Sequence, residues 1–179
     1  ASKNNHQEAQ YLLSEILVNE SKKLKSFNQE EEYLDEAISW LKKITINKYG
    51  KTENLLGTCY LRKYEIGRYS NKINKEYLDF AIYWFERSAI YNNVDSYINL
   101  GKVYYNSQYG VQDLQTSFDW FKKACLAGSG EAYFFVGMLY YTKRNYTKAI
   151  MGFQKAAEFN FTMLAYEKLG DMYQQGQGV

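Results

Sequence analysis

The chain has 179 residues, with 22 Lys and Arg against 20 Asp and Glu, a formal net charge of +2, and the two signs interspersed. This balance argues against nucleic acid as the main partner, which calls for a basic stripe. No apolar run approaches the roughly 20 residues of a membrane-spanning helix, and a single His, His6, argues against triads and histidine–metal sites that need a second one.

Taken in order, residues 7–20 predict a helix, because Ala9, Leu12, Leu13, Ile16 and Leu17 recur at helical spacing. Residues 21–32 are polar and read as an insertion. Its cluster Lys22-Lys23-x-Lys25 runs into Glu30-Glu31-Glu32, which predicts a solvated segment. A second helix is expected over 33–47, with Leu34, Ala37, Ile38, Leu41 and Ile44 on one face, and a third over 52–66. Residues 67–75 are rich in turn formers and read as a second insertion. Further helices are expected at 76–92, 95–107, 113–127, 130–143, 146–159 and 162–175, giving nine helices and no strand. There is no Pro, so helices must stop on Gly or Asn, as at Gly50, Asn92-Asn93, Gly128 and Asn160.

Two half-motifs recur along these helices. An aliphatic residue followed by Gly-x-x-Tyr stands at Leu56-Gly57/Tyr60, Leu100-Gly101/Tyr104, Val136-Gly137/Tyr140 and Leu169-Gly170/Tyr173, with a degraded copy at Leu13-Ser14/Leu17. The second half-motif stands at Ala37-x-x-Trp40-Leu41, Ala81-x-x-Trp84-Phe85, Ser117-x-x-Trp120-Phe121 and Ala149-x-x-Gly152-Phe153. From the second half to the next Gly the spacing is 17, 17, 17 and 18 residues; within a unit it drifts through 26, 27, 19 and 15. One joint is held and the other varies. Stacked helical hairpins behave this way, since the joint between units sets the stacking while the turn inside each unit faces solvent. The Gly has a packing reason: lacking a side chain, it admits a close neighbouring helix. The expected core comprises Leu56, Tyr60, Trp84, Phe85, Leu100, Tyr104, Trp120, Phe121, Val136, Tyr140 and Phe153.

Residues 96–128 resemble the Sel1-like repeat, a relative of the tetratricopeptide repeat, at Leu100, Gly101, Tyr104, Gly110, Val111, Asp113, Trp120, Phe121, Lys123, Ala124 and Gly128. Gly176-Gln177-Gly178-Val179 repeats the family's turn, while the first two units lack it. The resemblance implies an all-α, right-handed α-solenoid of stacked antiparallel helical hairpins. It implies one repeat domain over 1–179, with units at about 7–50, 51–93, 94–128, 129–160 and a partial 161–179. The partner helix of the last unit is expected beyond Val179, and its open face offers a route to self-association. A cysteine-rich branch of the family bridges two Cys seven residues apart. Here the position paired with Cys125 is Ala132, so both Cys125 and Cys59 read as small apolar residues.

Chemistry is sparse. No nucleotide-binding glycine motif follows a strand, Gly176-x-Gly178 reads as a turn, and Glu30, Glu31, Glu32, Asp35 and Glu36 read as solvated. Catalysis, metal binding and cofactors are not expected. The resemblance implies a protein- or peptide-binding scaffold; the alternatives it brings are a host-contact or toxin-neutralising factor and, less favoured, a β-lactam-interacting enzyme. It also implies groove positions on the first helix of each unit: Tyr11, Glu15 and Asn19; Asn54, Thr58 and Arg62; Ile98, Lys102, Tyr105 and Asn106; Phe134, Met138, Tyr141 and Thr142; Glu167, Asp171 and Gln174. Tyr105 and Tyr141 hold the same position in adjacent units and are expected to clamp an apolar side chain, with polar residues around them fixing register.

Overall fold

Leu34, Ala37, Ile38 and Leu41 are buried along one face of the second helix, and Ala149, Ile150, Phe153 and Ala156 along one face of the eighth. Such faces need a partner helix, and the chain supplies it by folding back. The computed structural model of the protein describes residues 2–44 and 50–178, with side chains from residue 6 onward. The end of the expected second helix at 45–47 and the terminal Val179 lie outside the described residues. The helices are α1 (Ser2–Ser21), α2 (Phe27–Leu41), α3 (Lys51–Tyr69), α4 (Lys75–Ala89), α5 (Val94–Tyr105), α6 (Leu114–Leu126), α7 (Gly130–Thr142), α8 (Tyr146–Glu158) and α9 (Thr162–Gln174), with a 3-10 turn at Ser107–Tyr109. Among the described residues there is no strand.

The chain divides into two compact units, Ala1–Ser96 and Tyr97–Val179. In the first unit α1 packs on α2 and α3 on α4. In the second, α6 packs on α7, α7 on α8 and α8 on α9.

Most hairpins close on a contact between a glycine and a phenylalanine. In unit 1, a Cβ added to Gly57 would stand 2.5 Å from the ring of Phe85. In unit 2, one added to Gly101 would stand 2.5 Å from Phe121, and one added to Gly137 would stand 2.8 Å from Phe153. All three rings are fully buried. The recurring Gly therefore leaves room for a ring, and the ring comes from the second helix of its own hairpin. The gap between the two is longest in unit 1 because α3 and α4 are themselves longer there, while in unit 2 it follows the turn, 106–113 in one hairpin and 143–145 in the next. The joint between hairpins is reversed each time by a residue with positive φ: Gly50 (φ 73), Asn92 (φ 57), Gly128 (φ 82) and Asn160 (φ 65). At the last two, the amides of Ser129 and Phe161 donate back to the carbonyls of Ala124 (3.1 Å) and Ala156 (2.9 Å), satisfying orphan acceptors at the helix ends.

Three expectations change. Trp84, Trp120, Tyr104, Val136 and Tyr140 are half-buried rather than core. The Phe after each Trp takes the glycine seat, which leaves the indole at the flank with a cation three residues on. Lys123 Nζ lies 3.8 Å from the Trp120 ring centroid, and the Arg87 guanidinium 5.5 Å from that of Trp84. The two insertions are shorter than expected, because α2 begins at Phe27 and α3 runs on to Tyr69. Glu30 is not solvated. It is 2 % exposed and receives Arg62 at two points, Nε to Oε1 at 2.6 Å and Nη2 to Oε2 at 3.1 Å. Asp35, itself exposed, is paired with the buried Lys63. A carboxylate on the buried face of α2 survives there because a fork of donors on α3 replaces its water.

Candidate functional site

The residues after α5 build a pocket in unit 2. The Asn106 side chain accepts from the amide of Gln108 at 2.9 Å and starts the 3-10 turn. Gly110 then reverses the chain at φ 75. The amide of Asp113 donates to the Tyr104 carbonyl at 2.9 Å, and Gln112 Nε2 donates to the Tyr105 carbonyl at 3.0 Å, so the turn folds back over the end of α5. The Asp113 carboxylate caps α6 through the amides of Gln115 and Thr116 and the Thr116 hydroxyl. These donors hold its pKa below the ordinary aspartate value, the Thr116 hydroxyl most of all.

The pocket has a volume of about 480 Å³ and is lined by Lys102, Tyr105, Asn106, Ser107, Tyr109, Gln112, Leu114, Phe135 and Thr142. Its aromatic wall is fixed from behind. The Phe135 ring stacks on the buried Phe121 at 4.8 Å with the planes 2° apart, and Tyr105 meets Phe135 edge-on at 5.8 Å. Half-burial raises the Tyr105 phenol pKa, so the hydroxyl stays a neutral donor through the physiological range. Lys102 lies with its Nζ 5.6 Å from the Phe135 centroid and 2.6 Å from Glu131 Oε1. The cation at the rim is thus compensated and held in place. The whole is an apolar, aromatic recess with a few polar groups at its edge, in the usual size range for small-ligand and side-chain pockets of roughly 300–1,000 Å³.

Four of the expected groove residues, Lys102, Tyr105, Asn106 and Thr142, line this pocket. The others stand elsewhere. Tyr141 is half-buried with its ring on Tyr146 at 5.6 Å. Phe134 is buried among Phe135, Phe153 and Phe161, Met138 packs beside it, and Ile98 is buried. Asp171 is exposed and pairs with Lys168 at 3.4 Å. In unit 1, Tyr11 donates to Glu15 at 2.8 Å, and burial followed by that carboxylate pushes its phenol pKa up. Asn54 accepts from Ser96 Oγ at 3.1 Å, and Arg62 is engaged with Glu30 and Glu65. The sequence reading missed Phe135, Gln112 and Leu114. The signal was present, since Gly110-Val111-x-Asp113 marks the turn that brings Gln112 and Leu114 over the end of α5. Unit 1 has a smaller cavity of about 300 Å³ lined by Leu41, Ile44, Thr52, Glu53, Leu56, Trp84 and Arg87 among others, none of them an expected groove residue.

Among the described residues no group of three His, Cys, Asp or Glu is placed to hold a metal, and no helix is long and apolar enough to cross a membrane. Both cysteines are free thiols.

The sequence pattern of the Sel1 repeat matches residues 64–90, 94–129, 130–158 and 164–179, which is more than half of the chain. The protein belongs to the Sel1 repeat family. Two solved structures share its fold. One is a protective antigen of uropathogenic Escherichia coli displaying an SLR fold, 23 % identical, TM-score 0.65, matched over 99 % of this chain and 36 % of that one. The other is a Sel1 repeat protein from Oxalobacter formigenes, 26 % identical, TM-score 0.61, matched over 90 % of this chain and 62 % of that one. The chain thus spans about a third of the length of the first and under two thirds of the second. No curated protein matches it. The all-helical fold is that of the Sel1-like α-solenoid, a family whose members generally mediate protein–protein interaction and are typically non-enzymatic scaffolds.

Proposed function

We propose that this protein is a non-catalytic scaffold that captures a protein or peptide segment in the pocket between the end of α5, the turn 106–113 and α7. The observation that carries this reading is the aromatic recess itself. Tyr105 and Phe135 are braced by the core, and Lys102, Asn106 and Thr142 are polar groups at its edge. Interaction sites draw most of their energy from such central anchors, while rim groups fix register. An extended segment would place an apolar side chain against Tyr105, Leu114 and Phe135 and leave its backbone amides to the polar edge.

The test is affinity capture with the immobilised protein, followed by titration of the captured partner against variants. Tyr105→Ala is expected to weaken binding at least about tenfold while the helical signal and melting temperature hold. Tyr141→Ala, whose ring rests on α8, is expected to bind close to wild type. If Tyr105→Ala binds like wild type, the pocket is not the site.

A further inference from the structure

Two hairpins differ at one position of the repeat, and the difference leaves a space. Trp84 in unit 1 and Trp120 in unit 2 each directly precede the phenylalanine that sits on the motif glycine, Phe85 on Gly57 and Phe121 on Gly101. Four residues before that glycine stands Glu53 in unit 1 and Tyr97 in unit 2. The Tyr97 ring is 9 % exposed and stacks on Trp120, with centroids 5.9 Å apart and planes 24° apart. Glu53 is buried as deeply, at 7 %, but a carboxylate does not fill the place of a phenol ring. Glu53 and Trp84 both line the cavity of about 300 Å³ in unit 1.

The rest of the cavity suits a ring. Leu41 and Leu56 give it buried apolar walls. The Trp84 indole is held by Tyr83, which meets it edge-on at 5.2 Å, and by Arg87, whose guanidinium lies 5.5 Å from its centroid. A cation there does not bar a second ring, since Lys123 lies 3.8 Å from the Trp120 centroid while Tyr97 is stacked on the same indole. Lys42 and Arg87 line the cavity together with Glu53. An ammonium group would therefore bring a third positive charge, and a carboxylate would meet Glu53 away from water. A neutral phenol meets neither obstacle and can donate its hydroxyl to a carboxylate oxygen.

We propose that this cavity is a docking site for a tyrosine side chain of a partner protein. The ring lies against Trp84 as Tyr97 lies against Trp120, and its hydroxyl donates to Glu53. The occupant is read from the molecule itself, which fills the same position with a tyrosine one repeat later. Trp84, Arg87 and the half-exposed Tyr91 around the cavity are the residue types that most often anchor protein contacts. The site shares no residue with the unit 2 pocket and does not depend on it.

The probe is N-acetyltyrosinamide, titrated into the full chain and followed by the tryptophan indole N–H signals in two-dimensional NMR, with Trp84 assigned through Trp84→Phe. N-acetylphenylalaninamide and N-acetyllysinamide serve as comparators. The Trp84 signal is expected to shift saturably, while that of Trp120, on which Tyr97 is already stacked, stays in place. The tyrosine probe is expected to bind about fivefold tighter than the phenylalanine one, for its one added hydrogen bond, and tighter than the lysine one. Glu53→Leu removes the acceptor and is expected to erase the preference for tyrosine over phenylalanine. Glu53→Tyr puts the unit 2 residue into the cavity and is expected to abolish the Trp84 shift. Tyr105→Ala is expected to leave that shift unchanged, which separates this cavity from the unit 2 pocket. Circular dichroism confirms that each variant folds; the comparison of the three probes on the wild-type chain stands if the Glu53 variants do not. The proposal is overturned if the Trp84 signal does not respond, if either comparator binds as tightly to the wild-type chain, or if folded Glu53→Tyr binds the probe like wild type. It is also overturned if binding appears only in Tyr49→Ala, in which case a ring of the chain's own takes the cavity.

Discussion

Among the described residues, unit 2 buries apolar side chains almost throughout; Ser117 is its one buried polar residue. Unit 1 buries Glu30, Glu53 and Lys63, together with Gln7, Gln10, Thr52 and four serines. Both units use the same glycine–phenylalanine seat, so the seat does not require a dry surrounding. What differs is how much of the rest was left to rings. In unit 2, Phe121, Phe134, Phe135, Phe153 and Phe161 form a chain of ring contacts 4.8–5.7 Å apart. In unit 1, paired charges and hydroxyls occupy comparable depth: Arg62 on Glu30, Lys63 on Asp35, and Ser88 Oγ donating to the Gly50 carbonyl at 2.6 Å. The Sel1 repeat pattern begins at residue 64, just past Arg62 and Lys63. The part of the chain that departs from the motif is the part that buries ionised residues.

The largest effect is expected where the two units agree. Phe121→Ala and Phe85→Ala empty fully buried seats and should each cost about 3–5 kcal/mol, read by urea denaturation. Equal losses would mean that the ion pairs of unit 1 leave its apolar seat undiminished; a much smaller loss for Phe85→Ala would mean that they share the load.

Next comes the buried carboxylate. Arg62→Ala leaves Glu30 buried without its fork and should cost about 3 kcal/mol. Glu30→Gln keeps the shape and lets the partly exposed Arg62 turn to Glu65 and water, so it should cost about 1 kcal/mol. Equal losses from the two variants would contradict the asymmetry in burial.

Glycine gives a smaller contrast within unit 2. Gly137→Ala forces the Phe153 ring aside and should destabilise by about 1–3 kcal/mol. Gly170, the same motif position in α9, has nothing within 4 Å of an added Cβ. Gly170→Ala should therefore stabilise, by up to about 1 kcal/mol. Thermal melts of the two variants should move in opposite directions.

The smallest effect is a pH dependence shared by both units. Burial pushes the thiols of Cys59 and Cys125 up to about 12. A folded pKa above the unfolded value of about 8.5 means stability that is whole below that pH. It is lost as pH rises from there towards 12, because the unfolded chain ionises first. Melting temperature should fall over this window, and Cys59→Ala and Cys125→Ala should each flatten the fall.

The repeat, its helices and the reason for its glycines were legible because they depend on local spacing. Gly57, Gly101 and Gly137 could be named from sequence, and so could Phe85, Phe121 and Phe153. The buried charge was only half legible. Glu30 continues the face of Leu34, Ala37, Ile38 and Leu41, which marks it as inward, but its partner Arg62 is 32 residues away and no local pattern joins them. The half-exposure of Trp84 and Trp120 was hidden for a similar reason. Two adjacent aromatics look alike in sequence, and only the hairpin's closing contact decides which ring takes the seat. The pocket was legible in its α5 side, through Lys102, Tyr105 and Asn106. Its wall was not, since Phe134 and Phe135 are neighbours and only the contact with Phe121 turns Phe135 toward the pocket.

The most direct test of the central claim is amide hydrogen exchange of the full chain with and without its captured partner. Binding in the unit 2 pocket predicts added protection over residues 102–114 and around Phe135, with the amides of α9 unchanged, and its loss in Tyr105→Ala. Protection that leaves 102–114 untouched and gathers elsewhere would contradict it.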